Sequence, residues 1–317
     1  MYELARDTLT QLTFDAAEDR NPVWTPDGRR IVFASDRAKA NVYNIYWVNA
    51  DGTGEVARLT DSPNAQKPLS WHPSGKFLAF HEAGAAAADL MILPMEGDSA
   101  HGWKAGAPTL FLSTPANEAA PMFSPDGRFI AYTSTEGGSN YEIYVRPFPG
   151  PGGKWRVSTT GGTYPVWSAA THELLFANYL DPTPSKIMAA PYTVVGDSFQ
   201  IETPKVWSPT SVQKLSTTNW AYDLHPDGKR IAAAAVTDQS NTVQDKVVFF
   251  FNFSEYLAKI APGKKSDARR ALRVERDRIA LSTRKTRWRS SATTLTTAPS
   301  RPRPPDAAPP SGRPSAT

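Results

Sequence analysis

The chain has 317 residues, 40% hydrophobic and 21% charged, a globular composition with room for one large domain or two ordinary ones. It has no cysteine, which excludes disulfides, thiolate-held zinc and thiol catalysis, and no apolar run near the roughly 20 residues of a membrane helix. The net charge of +4 conceals two parts: from Lys264 onward there are 14 basic and 4 acidic residues, so the body before it is acidic and nucleic-acid binding is not expected of it.

The N-terminal "MYELARDTLTQLTF" has no basic segment followed by an apolar core, so no signal peptide is visible. Tyr2–Leu4 reads as the stump of a third strand and Leu9–Phe14 as a fourth strand. Together they form part of a sixth blade, or else the N-terminal strand is lent to the last blade to close a ring of five.

Next comes "NPVWTPDGRRIVFAS", Asn21–Ser35, and it recurs. Its relatives are Lys67–Glu82, Ala120–Ser134, Tyr164–Asn178 and Trp220–Ala235. Each reads as a hairpin: Trp24, Trp71, Phe123, Trp167 or Leu224 closes the first strand, and a second, β-branched and aromatic strand follows. In most copies a Pro-Asp/Ser-Gly turn lies between, where Pro presets φ and Gly takes the position closed to side chains. Third strands are expected at Asn44–Gly52, Asp89–Gly97, Tyr141–Gly150, Lys186–Tyr192 and Lys246–Phe253. Shorter fourth strands are expected at Glu55–Thr60, Thr109–Thr114, Lys154–Thr159 and, weakly marked, Pro204–Ser208. A β-sandwich explains the alternation but not one hairpin recurring at blade-sized intervals. The expected fold is all-β: a β-propeller of four-stranded antiparallel blades, five recognisable plus a partial sixth.

Residues 1–265 form the expected propeller, and residues 266–317 a basic, Pro/Ser/Thr-rich tail too polar to bury a core and therefore read as disordered. Within the tail, Asp267–Ile279 has the composition of a short charged helix.

The signature P-x-W-[ST]-P-D-G-x-x-I-x-[FY], followed by I-Y-x-x-x-A-D-G and "ARLT", resembles the TolB-like, WD-type β-propeller repeat of bacteria. Tyr141–Ser168, Leu4–Phe33 and Phe251–Pro262 are similar to the propeller that follows the membrane helix in some bacterial serine/threonine protein kinases, notably of acidobacterial type. The likeness spans residues 2–265 and is most specific at "PFPGPGGKW", Pro147–Trp155. It implies a non-enzymatic binding or sensor module, periplasmic or otherwise extracytoplasmic. Kinase motifs and a membrane span are absent from this chain, so kinase activity does not carry over. The tail departs from the family pattern and reads as a shifted frame or a foreign extension.

No residue emerges as catalytic, cofactor-binding or metal-ligating. Asp27, Asp126 and Asp227 are turn residues, and a catalytic acid repeated on separate blades makes little chemical sense. His72 and His225 stand in the turn slot of Thr25, Ser124 and Ser168. His81-Glu82 and His172-Glu173 lack the second His of a zinc helix, and His101 has no partner spacing. "GPGGKW", Gly150–Trp155, has neither the spacing nor the following helix of a phosphate loop. The tail arginines, Arg269 to Arg289, form a solvated basic run in which only Trp288 interleaves. No cofactor is expected. The expected partner is a protein, peptide or glycan at the channel mouth or at the loops Ala83–Ala88, Asp98–Ala107, Tyr179–Ser185 and Pro209–Thr218. The competing function is a propeller enzyme, either a hydrolase or lyase with a rim site, or the propeller remnant of a prolyl-oligopeptidase-like peptidase. It requires His81, His101, His172 and loop carboxylates to converge, and no G-x-S-x-G elbow supports it.

Overall fold

Apolar runs separated by Pro-Asp-Gly turns have one economical outcome, a ladder of antiparallel strands, and the chain repeats that outcome. The computed structural model describes residues 1–3, 8–98, 102–138, 140–178, 185–196, 198–212 and 222–233. All belong to one unit, Met1–Tyr256. The tail, the third strand expected at Lys246–Phe253 and the helix expected at Asp267–Ile279 lie outside the described residues. No helix occurs among those described.

The first sheet runs β3 (Asp19–Trp24), β4 (Arg30–Ser35), β5 (Asn44–Asn49), β6 (Ala57–Arg58). Before it, β1 (Tyr2–Glu3) pairs with β2 (Thr8–Leu9) as the third and fourth strands of the partial blade. The second sheet holds β7 (Gln66–Trp71), β8 (Phe77–Ala83), β9 (Ala88–Asp98) and β11 (Thr109–Leu112), with β10 (Gly102–Ala105) added to β9. The third is β12 (Glu118–Phe123), β13 (Phe129–Ser134), β14 (Glu142–Pro147), β15 (Trp155–Arg156). The fourth holds β16 (Thr163–Ser168), β17 (Glu173–Ala177), β18 (Ser185–Val195) and β20 (Lys205–Val212), with β19 (Ser198–Ile201) added to β18. A hairpin of β21 (Tyr222–Leu224) and β22 (Ile231–Ala233) opens the fifth.

In every sheet the first strand is an edge, and β3, β7, β12, β16 and β21 touch in succession. Sheets arranged this way are the blades of a β-propeller. Hydrogen bonds cross the seams between blades. Phe123 N donates to Ser70 Oγ (3.0 Å), Trp167 Nε1 to Met122 O (3.0 Å), and Tyr222 OH to Tyr164 O (2.8 Å).

The hairpin turns behave as the sequence predicts. Asp27, Asp126 and Asp227 each accept the backbone N–H two residues on, at 3.0, 3.1 and 2.9 Å. Gly28, Gly127 and Gly228 have φ of +66°, +74° and +68°. His72 and His225 cap their turns through Nδ1, which accepts from Ser74 N and Asp227 N.

The "ARLT" motif is a clamp. Thr60 Oγ1 accepts Ile45 N at 3.0 Å, and Ser158 Oγ accepts Ile143 N at 2.8 Å, in the corresponding place. Arg58 bonds Asn44, and Arg156 reaches the buried Glu142 at 2.8 Å. The fourth strand is thereby fixed to the start of the third.

Three features differ from the sequence reading. First, β9 and β18 run past their blades and fold back as extra hairpins with β10 and β19. Asp98–Ala107, expected as a rim loop, is therefore largely strand. Second, the innermost strands carry bulges, with Asn21, Ala120 and Tyr164 at φ of 53°, 52° and 56°, each preceding a proline. Proline is tolerated there because the inner edge has no ladder to complete. Third, the weakly marked last fourth strand is the long β20, whereas the one expected at Leu9–Phe14 is confined to Thr8–Leu9.

Among the described residues, one face of blade 1 is left open. Trp24 is 50% exposed, whereas Trp167, in the same repeat slot of blade 4, is 8% exposed. A shallow concavity of about 730 Å³ lies over this face, lined by Leu9, Leu12, Pro22, Trp24, Ile31 and Phe33 among others.

Candidate functional site

The seam between blades 1 and 2 differs from the two seams that follow it. The first residue of the second strand is Arg30 in blade 1, where blades 2 and 3 place Phe77 and Phe129. The equivalence holds in hydrogen bonding: Thr25 N, His72 N and Ser124 N donate to Arg30 O, Phe77 O and Phe129 O respectively, and in blade 5 His225 N donates to Arg230 O, so the slot holds Arg there as well. In blade 4 the second strand starts at Glu173.

In blades 2 and 3 the slot is filled by packing. Phe129 meets Phe199 of β19 at 5.1 Å and Trp155 at 6.0 Å, and Phe199 also contacts Trp167 and Tyr192. Phe77 meets Phe148 of the "PFPG" run at 5.3 Å, and Phe148 packs on His72, Phe111 and Phe123. The "PFPG" run thus supplies a plug.

Among the described residues, no ring-on-ring cluster fills the seam between blades 1 and 2; its indoles pack individually on the core of Val32, Ile45 and Leu78. Arg30 lays its guanidinium over the Trp47 ring, 4.3 Å from the centroid. Trp71 ends β7, and Trp103 arrives on β10 with its six-membered ring against Gly75, where a Cβ would sit 3.8 Å from it. Gly75 has φ +72°, as its turn demands. The three indoles, Arg30 and the turns Thr25–Asp27 and Pro73–Gly75 enclose a cavity of about 290 Å³. Trp71 Nε1 is buried without a hydrogen-bond partner.

The polar groups of this cavity keep spare capacity. Among the described residues, no hydrogen bond or ion pair engages the Arg30 guanidinium; the residue's bonds to Thr25 use its backbone. Asp27 Oδ1 is taken by Thr25 Oγ1 (2.6 Å) and Arg29 N, while Oδ2 is left to solvent. Burial works against the Asp27 charge. Those two hydrogen bonds, with Arg30 and Arg29 nearby, nevertheless hold the carboxyl below its ordinary value. The cavity therefore presents a fixed anion, a stacked cation with free donors, and three flat apolar faces. Such a constellation is chemically suited to holding and orienting a ligand. Its two hydroxyls are tied into the hairpin turns, Thr25 Oγ1 on Asp27 Oδ1 at 2.6 Å and Ser74 Oγ on His72 Nδ1 at 2.7 Å.

A second unusual pair lies at the other end of the strands. Lys67 on β7 is 7% exposed, its ammonium makes no hydrogen bond or ion pair among the described residues, and its cross-strand neighbour is His81 on β8. Burial, with Arg20 adding to it, pushes the Lys67 ammonium down to about 8. Burial, with the Lys67 charge adding to it, pushes the His81 imidazole down to about 3, and its Nδ1 has no partner.

Among the described residues, the sequence candidates His81 and His172 do not come together. His81 lies toward the end of β8 far from its turn, and His172 is exposed in the β16–β17 turn of another blade. His101 lies outside the described residues, as do most of Tyr179–Ser185 and 213–218. Among the described residues no group of three or more His, Asp or Glu could hold a metal. "GPGGKW" links β14 to β15, strand to strand. Arg30, Trp47, Trp71 and Trp103 were not singled out by sequence. The one signal for them was Arg30 in a slot that two sister repeats fill with Phe.

No protein-family model matches the chain. A curated relative, the uncharacterized peptidase YuxL of Bacillus subtilis (strain 168), is 35% identical over 77 residues, 24% of this chain. The match spans only 11% of that relative's length. Among solved structures, TolB from Acinetobacter baumannii aligns with a TM-score of 0.46 at 20% identity, over 70% of this chain and 49% of that one. A puromycin-hydrolyzing peptidase of Mycobacterium tuberculosis aligns with a TM-score of 0.45 at 14% identity, over 62% and 32%. None of these likenesses assigns an activity to this chain.

Proposed function

We propose that this chain is a non-enzymatic binding or sensor module whose ligand sits in the seam between blades 1 and 2. The carrying observation is the three-tryptophan cavity itself, lined by Arg30 in the slot that blades 2 and 3 fill with a packing Phe, and offering free donors and a free acceptor. Trp and Arg are the residues that most often dominate binding energy at recognition sites. The reading includes a propeller bounded at residues 1–265, a disordered tail over 266–317, and a place outside the cytoplasm beside a kinase, as the sequence resemblance implies.

A screen of peptides, glycans and peptidoglycan fragments by ligand-induced thermal shift tests it. At least one class raises the unfolding temperature of the full chain and not that of Trp103→Ala. A screen in which no compound separates the two proteins overturns the proposal.

The stretch similar to YuxL favours a second reading, a propeller fragment of a peptidase whose chemistry lies elsewhere. Steady release of product from an aminoacyl or peptidyl substrate by this chain alone would overturn the non-enzymatic reading instead.

A further inference from the structure

The charge pattern of the seam cavity narrows what it accepts. Arg30 and Asp27 line the same space, each with unused capacity. A free anion gains from Arg30 but meets the Asp27 carboxylate. A quaternary ammonium gains from the indoles but meets the Arg30 guanidinium. A neutral group carrying adjacent hydroxyls satisfies both, accepting from the guanidinium and donating to Asp27 Oδ2. Trp47, Trp71 and Trp103 add flat apolar faces, against which the C–H face of a pyranose ring packs while its equatorial hydroxyls point to the rim. The volume, about 290 Å³, is at the small end of ligand cavities and fits one or two ring units rather than a length of peptide.

We propose that the cavity between blades 1 and 2 is a binding site for a neutral pyranose saccharide, stacked on tryptophan and held by Arg30 and Asp27. This rests on the binding-module reading and specifies its ligand class.

Calorimetric titration of the full chain with glucose, N-acetylglucosamine and their β-1,4-linked disaccharides tests it, with glucuronic acid, choline and a proline-rich peptide as competing arms. At least one neutral sugar binds saturably. Trp103→Ala and Arg30→Met each weaken that binding at least tenfold, while Trp24→Ala, outside the cavity, leaves it unchanged. All three variants are first checked for an unfolding temperature near that of the parent. Arg30→Met keeps the apolar stem over Trp47, so its loss of affinity reports the guanidinium rather than the packing. If glucuronic acid, choline or the peptide binds more tightly than every neutral sugar, and does so in a Trp103-dependent way, the sugar assignment falls and the module reading stands. If no arm binds up to roughly 10 mM, beyond the millimolar edge of specific affinity, both fall.

Discussion

The two added hairpins make a paired prediction. Phe199 on β19 is 2% exposed and meets four aromatic rings in the seam between blades 3 and 4. Burying a Phe side chain is worth about 1.5–3 kcal/mol by area, and cutting a buried Phe to Ala costs about 3–5 kcal/mol once the cavity is counted. Trp103 on β10 stands at the wall of a space that is already open. Removing its ring enlarges a solvent-accessible cavity instead of creating a sealed one, so Trp103→Ala costs about 1 kcal/mol or less. Urea unfolding followed by far-ultraviolet circular dichroism measures both. With a slope of about 3 kcal/mol/M, Phe199→Ala lowers the midpoint by roughly 1 M or more and Trp103→Ala by no more than about 0.3 M. Equal shifts for the two variants refute the argument that one hairpin seals a seam and the other borders a site.

Three further outcomes are expected. Ala120, held at φ 52° on the inner strand β12, carries left-handed strain of about 1–2 kcal/mol, against about 0.4–1 kcal/mol of extra backbone entropy for glycine. Ala120→Gly therefore raises the unfolding temperature by a few degrees, and a fall shows that the lost methyl packing outweighs the strain. Ser158→Ala strips the acceptor from the buried Ile143 N–H and costs about 1–3 kcal/mol by urea denaturation; a neutral result shows that Arg156 and Glu142 hold β15 without it. His81, pushed down to about 3, stays neutral in the fold while the unfolded chain binds a proton below about 6.5. Its contribution is intact above that pH and falls by about 1.4 kcal/mol per unit as pH drops toward 3. Acid unfolding of His81→Leu therefore begins at a lower pH than in the parent, and superimposable curves remove His81 as the cause.

The hairpin signature was legible because each copy repeats the same alternation and the same turn chemistry. Val32, Ile130 and Leu175 are core residues for the reason their strands were recognisable. The β10 and β19 hairpins were not legible. "GDSAHGW" and "VVGDSFQ" carry turn residues beside a continuing strand, and nothing local says that β9 and β18 run past their blades. The inner bulges were hidden too, because left-handed Ala and Tyr leave no composition signal. The seam cavity draws Arg30, Trp47, Trp71 and Trp103 from four strands, and only tertiary register joins them. The opening motif of the repeat thus does two jobs. Asp27 closes a turn, as Asp126 and Asp227 do, and Arg30 leaves that turn to lie over Trp47 on the adjacent strand.

The hydrogen bonds that cross each seam have a consequence for how the molecule comes apart. Ser70 with Phe123, Met122 with Trp167, and Tyr164 with Tyr222 join neighbours only, like couplings between railway wagons. Stability in such a train is local arithmetic, one term per wagon and one per coupling. Blade 1, where Trp24 is 50% exposed, is then where protease attack on the native protein is expected to begin, and cleavage there leaves blades 2 to 4 still coupled.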